Sequence, residues 1–205
     1  MKPLFITFEG PDKAGKTTQI ALFCQALRDR GVDFIQTREP GGCPVCEKIR
    51  AVILDKDNEM GAVCEALLYA ASRAELVERV IAPALRAGRW VICDRFVDSS
   101  IAYQGYGRGL GYDTVAAVNA IAVAGNVPDF TFYLDIDPRQ SMKRAAEGEK
   151  DRLEQESDAF FLRTVEGYRE VASRAADRVA VIDASGTIEE VHQRIMDAFA
   201  RRVSP

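Results

Sequence analysis

Histidine occurs once, at His192, and no second C-x-x-C accompanies Cys43-Pro-Val-Cys46, so the ligands of a structural zinc site are missing. The five cysteines are an odd number, three of them within apolar segments where a thiol packs as a small hydrophobe. A disulfide scaffold is therefore disfavoured, and Cys43 and Cys46 read as incidental thiols. A redox role would want the C-x-x-C at the start of a thioredoxin-like unit, but the first strand and turn are already taken by a glycine-rich loop. There is no long Lys/Arg block, and the net charge is −4, which excludes a general nucleic-acid-binding surface and makes any cationic site local. No apolar stretch reaches membrane-spanning length, and MKPLFITFEG enters a strand instead of a cleavable signal. The expectation is a cytoplasmic protein with no membrane or nucleic-acid partner. Neither an internal repeat nor a low-complexity tract interrupts the chain, and 205 residues suit one domain, 1–205, with room for a mobile lid.

What is present is an alternation of short β-branched and aromatic runs with longer segments of helical period, the pattern of βαβ units about a parallel sheet. Strands are predicted at 4–9, 33–37, 90–94, 130–136 and 179–183, and their near-continuous apolarity implies burial on both faces. Residues 63–85 place Val63, Ala66, Leu67, Ala70, Ala74, Val77, Ile81 and Leu85 on one apolar stripe of a long helix, which Pro83 should bend. Other helices are predicted near 17–30, 46–54, 97–105, 113–124, 138–146, 154–177 and 187–202, with a turn at 105–112. The charged stretch 145–157 reads either as a solvated connection or as a lid.

Residues 10–17, GPDKAGKT, form a G-x4-G-K-T phosphate loop that follows one predicted strand and opens a helix, the context its chemistry requires. Its backbone N–H groups converge on phosphate oxygens, Lys16 reaches the β- and γ-phosphates, and Thr17 ligates Mg²⁺. Asp94, ending the strand WVICD, is placed as a second acidic anchor for that ion, through water. No guanine-selecting N-K-x-D occurs, and the chain is short for a motor or transporter, which leaves small-molecule kinases in front.

Four further stretches fall just beyond strand ends, where an open α/β sheet binds ligands: TREPGG (37–42), EKIR (47–50), LLYAASRAE (67–75) and DRFVDSSIAYQG (94–105). With the phosphate loop, in this order and spacing, they resemble the thymidylate kinase family over almost the whole chain. The resemblance implies an α/β P-loop NTPase fold with a five-stranded parallel sheet flanked by helices and a small charged lid, about 145–157. It implies transfer of the γ-phosphate of ATP to dTMP with Mg²⁺, and a homodimer. ATP would contact Gly10, Pro11, Asp12, Lys13, Ala14, Gly15, Lys16, Thr17, Thr18 and Arg144. On the acceptor side, Arg50 and Arg95 would clamp the phosphate of dTMP, because guanidiniums hold oxyanions bidentately. Asp12 would accept from the 3′-OH. Glu39, followed by Pro40, would organise metal-bound water or the same sugar edge. Tyr69 would stack on the pyrimidine, Arg73 would donate to O4, Ser100 and Gln104 would complete the base edge, and Tyr103 would crowd the ribose against a 2′-OH.

Several positions depart from the family's pattern. Lys13 stands where one arrangement of the family has a loop arginine, and Ala145 and Glu147 stand where the other has lid arginines. Lys150, Arg152 and Arg144 remain, so Arg152 is expected to be the main lid cation, with Lys13 sharing its work in the catalytic set Lys16, Asp94, Arg95, Lys13 and Arg152. Cys43 and Cys46 replace Thr and Gly, Ser72 replaces Asp or Asn, and Leu76 replaces His. Two alternatives stay open: a kinase for another or modified pyrimidine deoxynucleotide, and a nucleotide-binding regulatory module without transfer.

Overall fold

The near-continuous apolar runs become five strands, β1 (Phe5–Glu9), β2 (Phe34–Arg38), β3 (Trp90–Asp94), β4 (Phe130–Asp135) and β5 (Val179–Asp183), in a computed structural model that describes residues 2–145 and 152–203. All neighbours pair in parallel, in the order β2-β3-β1-β4-β5. The helices are α1 (Lys16–Asp29), α2 (Pro44–Leu54), α3 (Ala62–Leu76), α4 (Ala82–Arg86), α5 (Val97–Ser100), α6 (Tyr112–Val123), α7 (Pro138–Ala145), α8 (Asp158–Arg174) and α9 (Ile188–Val203). Among the described residues no helix is long and apolar enough to cross a membrane.

Successive side chains of a strand face opposite ways, so β1 divides its residues between two layers. Ile6 and Phe8 pack with Phe132, Leu134 and the α1 and α9 residues Phe23, Leu27, Ile195 and Phe199. Phe5 faces the other way, against Val91, Phe96, Leu76 and Ile81. Thr7 and Glu9 share Phe5's side, yet both are fully buried. Thr7 is satisfied by the hydroxyl of Thr131 at 2.7 Å, its partner in the β1–β4 register. The polar part of this layer therefore lies towards the carboxyl ends of the strands, where the site is.

The predicted long helix at 63–85 is present but not uniform. A wide π-helical turn, Val77–Ile81, joins α3 to α4, and the Ala82 N–H reaches back to the Val77 carbonyl. Pro83, which has no N–H, sits in the first turn of α4, so the ladder must be rearranged just before it. The predicted stripe is also corrected. Val63 and Leu67 are 61% and 52% exposed, whereas Glu65, Ser72 and Arg73 of the same helix are buried. Polar contacts described below draw Glu65 and Arg73 inward, whereas the Ser72 hydroxyl has no partner among the described residues. A second π-helical turn, Ile101–Gly107, extends α5 through residues expected to begin a turn.

Cys43 and Cys46 are joined as a disulfide, which corrects their reading as incidental thiols. They lie in the first turn of α2, where Cys43 is the cap, and both pack in the Phe5 layer.

Candidate active site

The switch point of the sheet lies at β1, with β3 on one side and β4 on the other, and the loops after β1, β2 and β3 gather there. They are stitched together by an extension of the strand ladder: the Arg95 N–H donates to the Phe8 carbonyl at 3.0 Å and the Glu39 N–H to the Asp94 carbonyl at 2.9 Å. Gly10 opens the phosphate loop at φ 140°, and a Cβ there would lie 2.7 Å from the Leu134 carbonyl oxygen, so no side chain fits. Lys16 is buried and folds back on its own loop, donating to the carbonyls of Gly10 at 3.0 Å and Pro11 at 2.8 Å. Burial, reinforced by the charge of Arg95, lowers its pKa to about 8. The Ala14 N–H closes the loop on the Pro11 carbonyl at 3.3 Å.

Arg95, at φ 66°, has its guanidinium held from several sides. It donates to Asp12 at 2.5 Å, to the Gly10 carbonyl at 2.9 Å and to the Tyr168 hydroxyl at 2.8 Å. Beneath it Glu9 accepts from the Phe96 N–H at 2.7 Å and from Ser99 Oγ at 2.5 Å, and Ser99 in turn meets the Tyr168 hydroxyl at 2.8 Å. Burial pushes the Glu9 carboxyl up to about 8. Asp12 differs: burial raises its pKa, but Arg95, Lys16 and the Tyr103 hydroxyl, which donates to it at 2.7 Å, more than reverse that and leave it low.

Two cavities adjoin here. One, of about 120 Å³, is lined by Tyr69, Ser100, Tyr103, Gln104, Leu54 and Leu153, with Pro40 at its edge. The other, of about 480 Å³, is lined by Lys13, Gly15, Lys16, Thr17, Asp94 and Arg38. Asp12, Glu39, Arg50 and Arg95 line both. Such a junction, with cations and a phosphate loop on one side and an aromatic and an amide on the other, suits two anionic ligands meeting end to end.

The thymidylate kinase profile matches residues 8–195. The chain belongs to the thymidylate kinase family. It is 48% identical over 196 residues to the thymidylate kinase of Geobacillus sp. (strain WCH70), covering 93% of each chain. Against the thymidylate kinase of Lactobacillus delbrueckii subsp. bulgaricus it is 52% identical, covering 93% of this chain and 92% of that one. The crystal structure of thymidylate kinase from Ehrlichia chaffeensis superposes with a TM-score of 0.81 at 33% identity, over 97% of this chain and 99% of that one. The fold is that of the P-loop nucleoside monophosphate kinases, and the protein is a phosphotransferase of that class.

Two residues expected at the site are engaged with other protein groups. Arg73, expected to donate to O4 of the base, turns inward here. It is 1% exposed, and every N–H of its guanidinium has a protein acceptor: Glu39 twice, Ser100 Oγ at 2.9 Å, Asn119 Oδ1, and the Phe96 carbonyl at 3.0 Å. Its partner Glu39 is likewise buried, and burial raises that carboxyl to about 7 against the opposing charge of Arg73. Arg152 is not over the phosphate loop. Its Nε donates to the Ile53 carbonyl at 2.7 Å, its N–H to the Leu54 carbonyl at 3.3 Å, and its guanidinium pairs with Glu65 at 2.7 Å, on the acceptor side. Lys13 does line the larger cavity. Of the expected lid, residues 146–151 lie outside the described residues, as does the side chain of Arg144.

Of the remaining residues expected at the site, Gly10 and Pro11 line neither cavity but offer their carbonyls to Lys16. Ala14 and Thr18 lie with Gln19, Gly186 and Ile188 around a third cavity, of about 270 Å³, and the rest line the first two. The segment Ala184–Ile188 was not singled out in the sequence. Its only local signal is the capping box that starts α9: the Thr187 N–H donates to Glu190 at 2.8 Å and the Glu190 N–H to Thr187 Oγ1 at 3.2 Å. Glu9, Glu65, Asn119 and Tyr168 were missed as well, because each acts on another site residue instead of lining a motif loop.

Proposed function

We propose that ATP and dTMP lie end to end across the junction, with the triphosphate of ATP in the larger cavity and thymidine in the smaller. The observation that carries this reading is that Asp12, Glu39, Arg50 and Arg95 line both cavities, so charged groups sit where the two phosphates would meet. Phosphoryl transfer needs alignment and charge neutralisation more than covalent chemistry. The loop amides and Lys16 hold the β- and γ-phosphates, Arg50 and Arg95 grip the dTMP phosphate, and Lys13 offsets charge that develops on the transferring group. Asp12, tied to both Arg95 and Tyr103, accepts from the 3′-OH, and Tyr103 disfavours a 2′-OH. Tyr69 stacks on the pyrimidine, and the adenosine end of ATP reaches the third cavity.

A magnesium ion fits the residues present. Thr17 offers a hydroxyl beside Lys16, and Asp94 lines the same cavity with a buried Oδ1 that has no protein partner among the described residues, as does Glu39 with Oε1. When bound, Mg²⁺ supplies charge neutralisation at the phosphates. A homodimer is supported by the exposed Val63 and Leu67 on α3 and by Ile121, 85% exposed, on the adjacent α6. The experiment is a panel of nucleoside monophosphates with ATP and Mg²⁺, scored for ADP release. Turnover stimulated by dTMP is expected, and equal stimulation by dCMP would refute the assignment of the smaller cavity. Sedimentation equilibrium tests the dimer.

A further inference from the structure

Glu65 is fully buried on α3 and lines neither cavity, yet three side chains converge on it. Arg108 reaches it with Nε at 3.1 Å and Nη2 at 2.9 Å, Arg152 pairs with it at 2.7 Å, and Gln104 Nε2 donates to it at 2.9 Å. Burial raises the Glu65 carboxyl, but the donors of Arg108 and Gln104 more than reverse this, so it remains a carboxylate. A carboxylate only accepts. Gln104 must therefore present its NH₂ to Glu65 and turn its oxygen the other way. That oxygen, Oε1, is buried without a partner among the described residues, and Gln104 lines the smaller cavity.

We propose that Glu65 is a positioning residue for acceptor specificity: it fixes the Gln104 amide with Oε1 towards the acceptor base. Thymine carries a proton on N3 and matches an acceptor there. Cytosine carries a lone pair on N3, which would face the lone pairs of Oε1. A glutamine left to itself can present either end. The discrimination therefore originates one residue behind the base contact, in the carboxylate that holds the Gln104 NH₂. The inference rests on the reading that the acceptor base occupies this cavity.

Glu65→Gln tests it. Arg108 would hold the new carbonyl, the new NH₂ would point at Gln104, and the Gln104 amide would be drawn round to present NH₂ to the base. The expected result is a fall of about 10- to 100-fold in the ratio of kcat/KM for dTMP to that for dCMP, the worth of one buried hydrogen bond made or left unmade. It should appear mainly as a higher KM for dTMP with little change in kcat, because the base contact is shared by ground and transition states. In the Gln104→Met background the same change at Glu65 should leave the ratio where Gln104→Met alone puts it. A folded Glu65→Gln with the wild-type ratio overturns the inference, as does an equal fall in the Gln104→Met background. A wild type that does not prefer dTMP to dCMP overturns the cavity reading and the inference with it. If Glu65→Gln does not fold, hydrogen exchange of the Gln104 side-chain amide in the ligand-free wild type decides. Protection supports the lock, and exchange at the rate of a free amide refutes it.

Discussion

Replacing Arg73 with methionine keeps a long side chain but removes a guanidinium whose every N–H is used. Glu39, Asn119 Oδ1 and the Phe96 carbonyl would lose their donor inside a pocket that Arg73 itself fills to 1% exposure. Breaking a buried pair by deleting one partner costs roughly 3–5 kcal/mol, and the other lost hydrogen bonds overlap with that figure more than they add to it. About 4 kcal/mol in a chain of this length lowers Tm by about 8–16 °C. The loss should also depend on pH. Burial already holds the Glu39 carboxyl at about 7 with Arg73 beside it, and removing the guanidinium raises it further. Below that pH the folded carboxyl is neutral in both proteins, and the deficit is one of hydrogen bonds. Above it the wild type carries a paired carboxylate, while the variant must bury an unpaired charge or retain its proton. The deficit therefore widens as pH rises, by about 1.4 kcal/mol for each unit that separates the two folded-state pKa values. Thermal unfolding followed by circular dichroism near pH 6 and near pH 9 measures both effects. Adding Glu39→Gln to Arg73→Met should recover part of the loss at the higher pH. A variant whose Tm is unchanged, or whose deficit shrinks with rising pH, would refute the reasoning.

Because Arg152 is tied to Ile53, Leu54 and Glu65 on the acceptor side, Arg152→Ala should raise KM for dTMP by about tenfold and leave KM for ATP unchanged; steady-state kinetics with each substrate varied decides. Lys16→Met should lower kcat by about 10²–10³-fold while circular dichroism shows the native fold, since it deletes a charge aimed at the phosphates. A Cβ on Gly167 would lie 2.7 Å from the Ala102 backbone, where α8 crosses the Ile101–Gly107 turn. Gly167→Val should cost about 1–3 kcal/mol by overpacking, visible as a lower Tm.

The strands were legible because burial on both faces leaves little room for polar residues in β1, β3 and β4. The edge strands β2 and β5 correct that expectation, Val181 being 55% exposed, yet 90–94 and 179–183 agree with β3 and β5 and the others differ by one residue at one or both ends. The phosphate loop was legible because its glycines, lysine and threonine are contiguous. What escaped is what depends on contacts distant in the chain. Periodicity put Val63, Leu67 and Ala74 inside and, by implication, Arg73 outside, because hydrophobicity alone orients a helix in that reading. The partners that draw Arg73 inward, Glu39 and Asn119, lie 34 and 46 residues away. Arg152 was given to the phosphates by its place in the lid, yet its partner Glu65 comes from a helix with no motif at that position. The Gly105–Gly107 stretch looked like a turn, but its small residues let α8 approach: a Cβ on Gly107 would stand 2.7 Å from the ring of Phe160.

The backbone stitching of Phe8 to Arg95 and of Asp94 to Glu39 has a wider consequence. Neighbouring strands are held about 4.8 Å apart by main-chain hydrogen bonds, whatever side chains they carry. The spacing between the donor's cradle and the acceptor's clamp is thus a property of the sheet, while the helices that surround the base are free to diverge. Mutation can retune which nucleotide enters without retuning the line along which phosphorus travels.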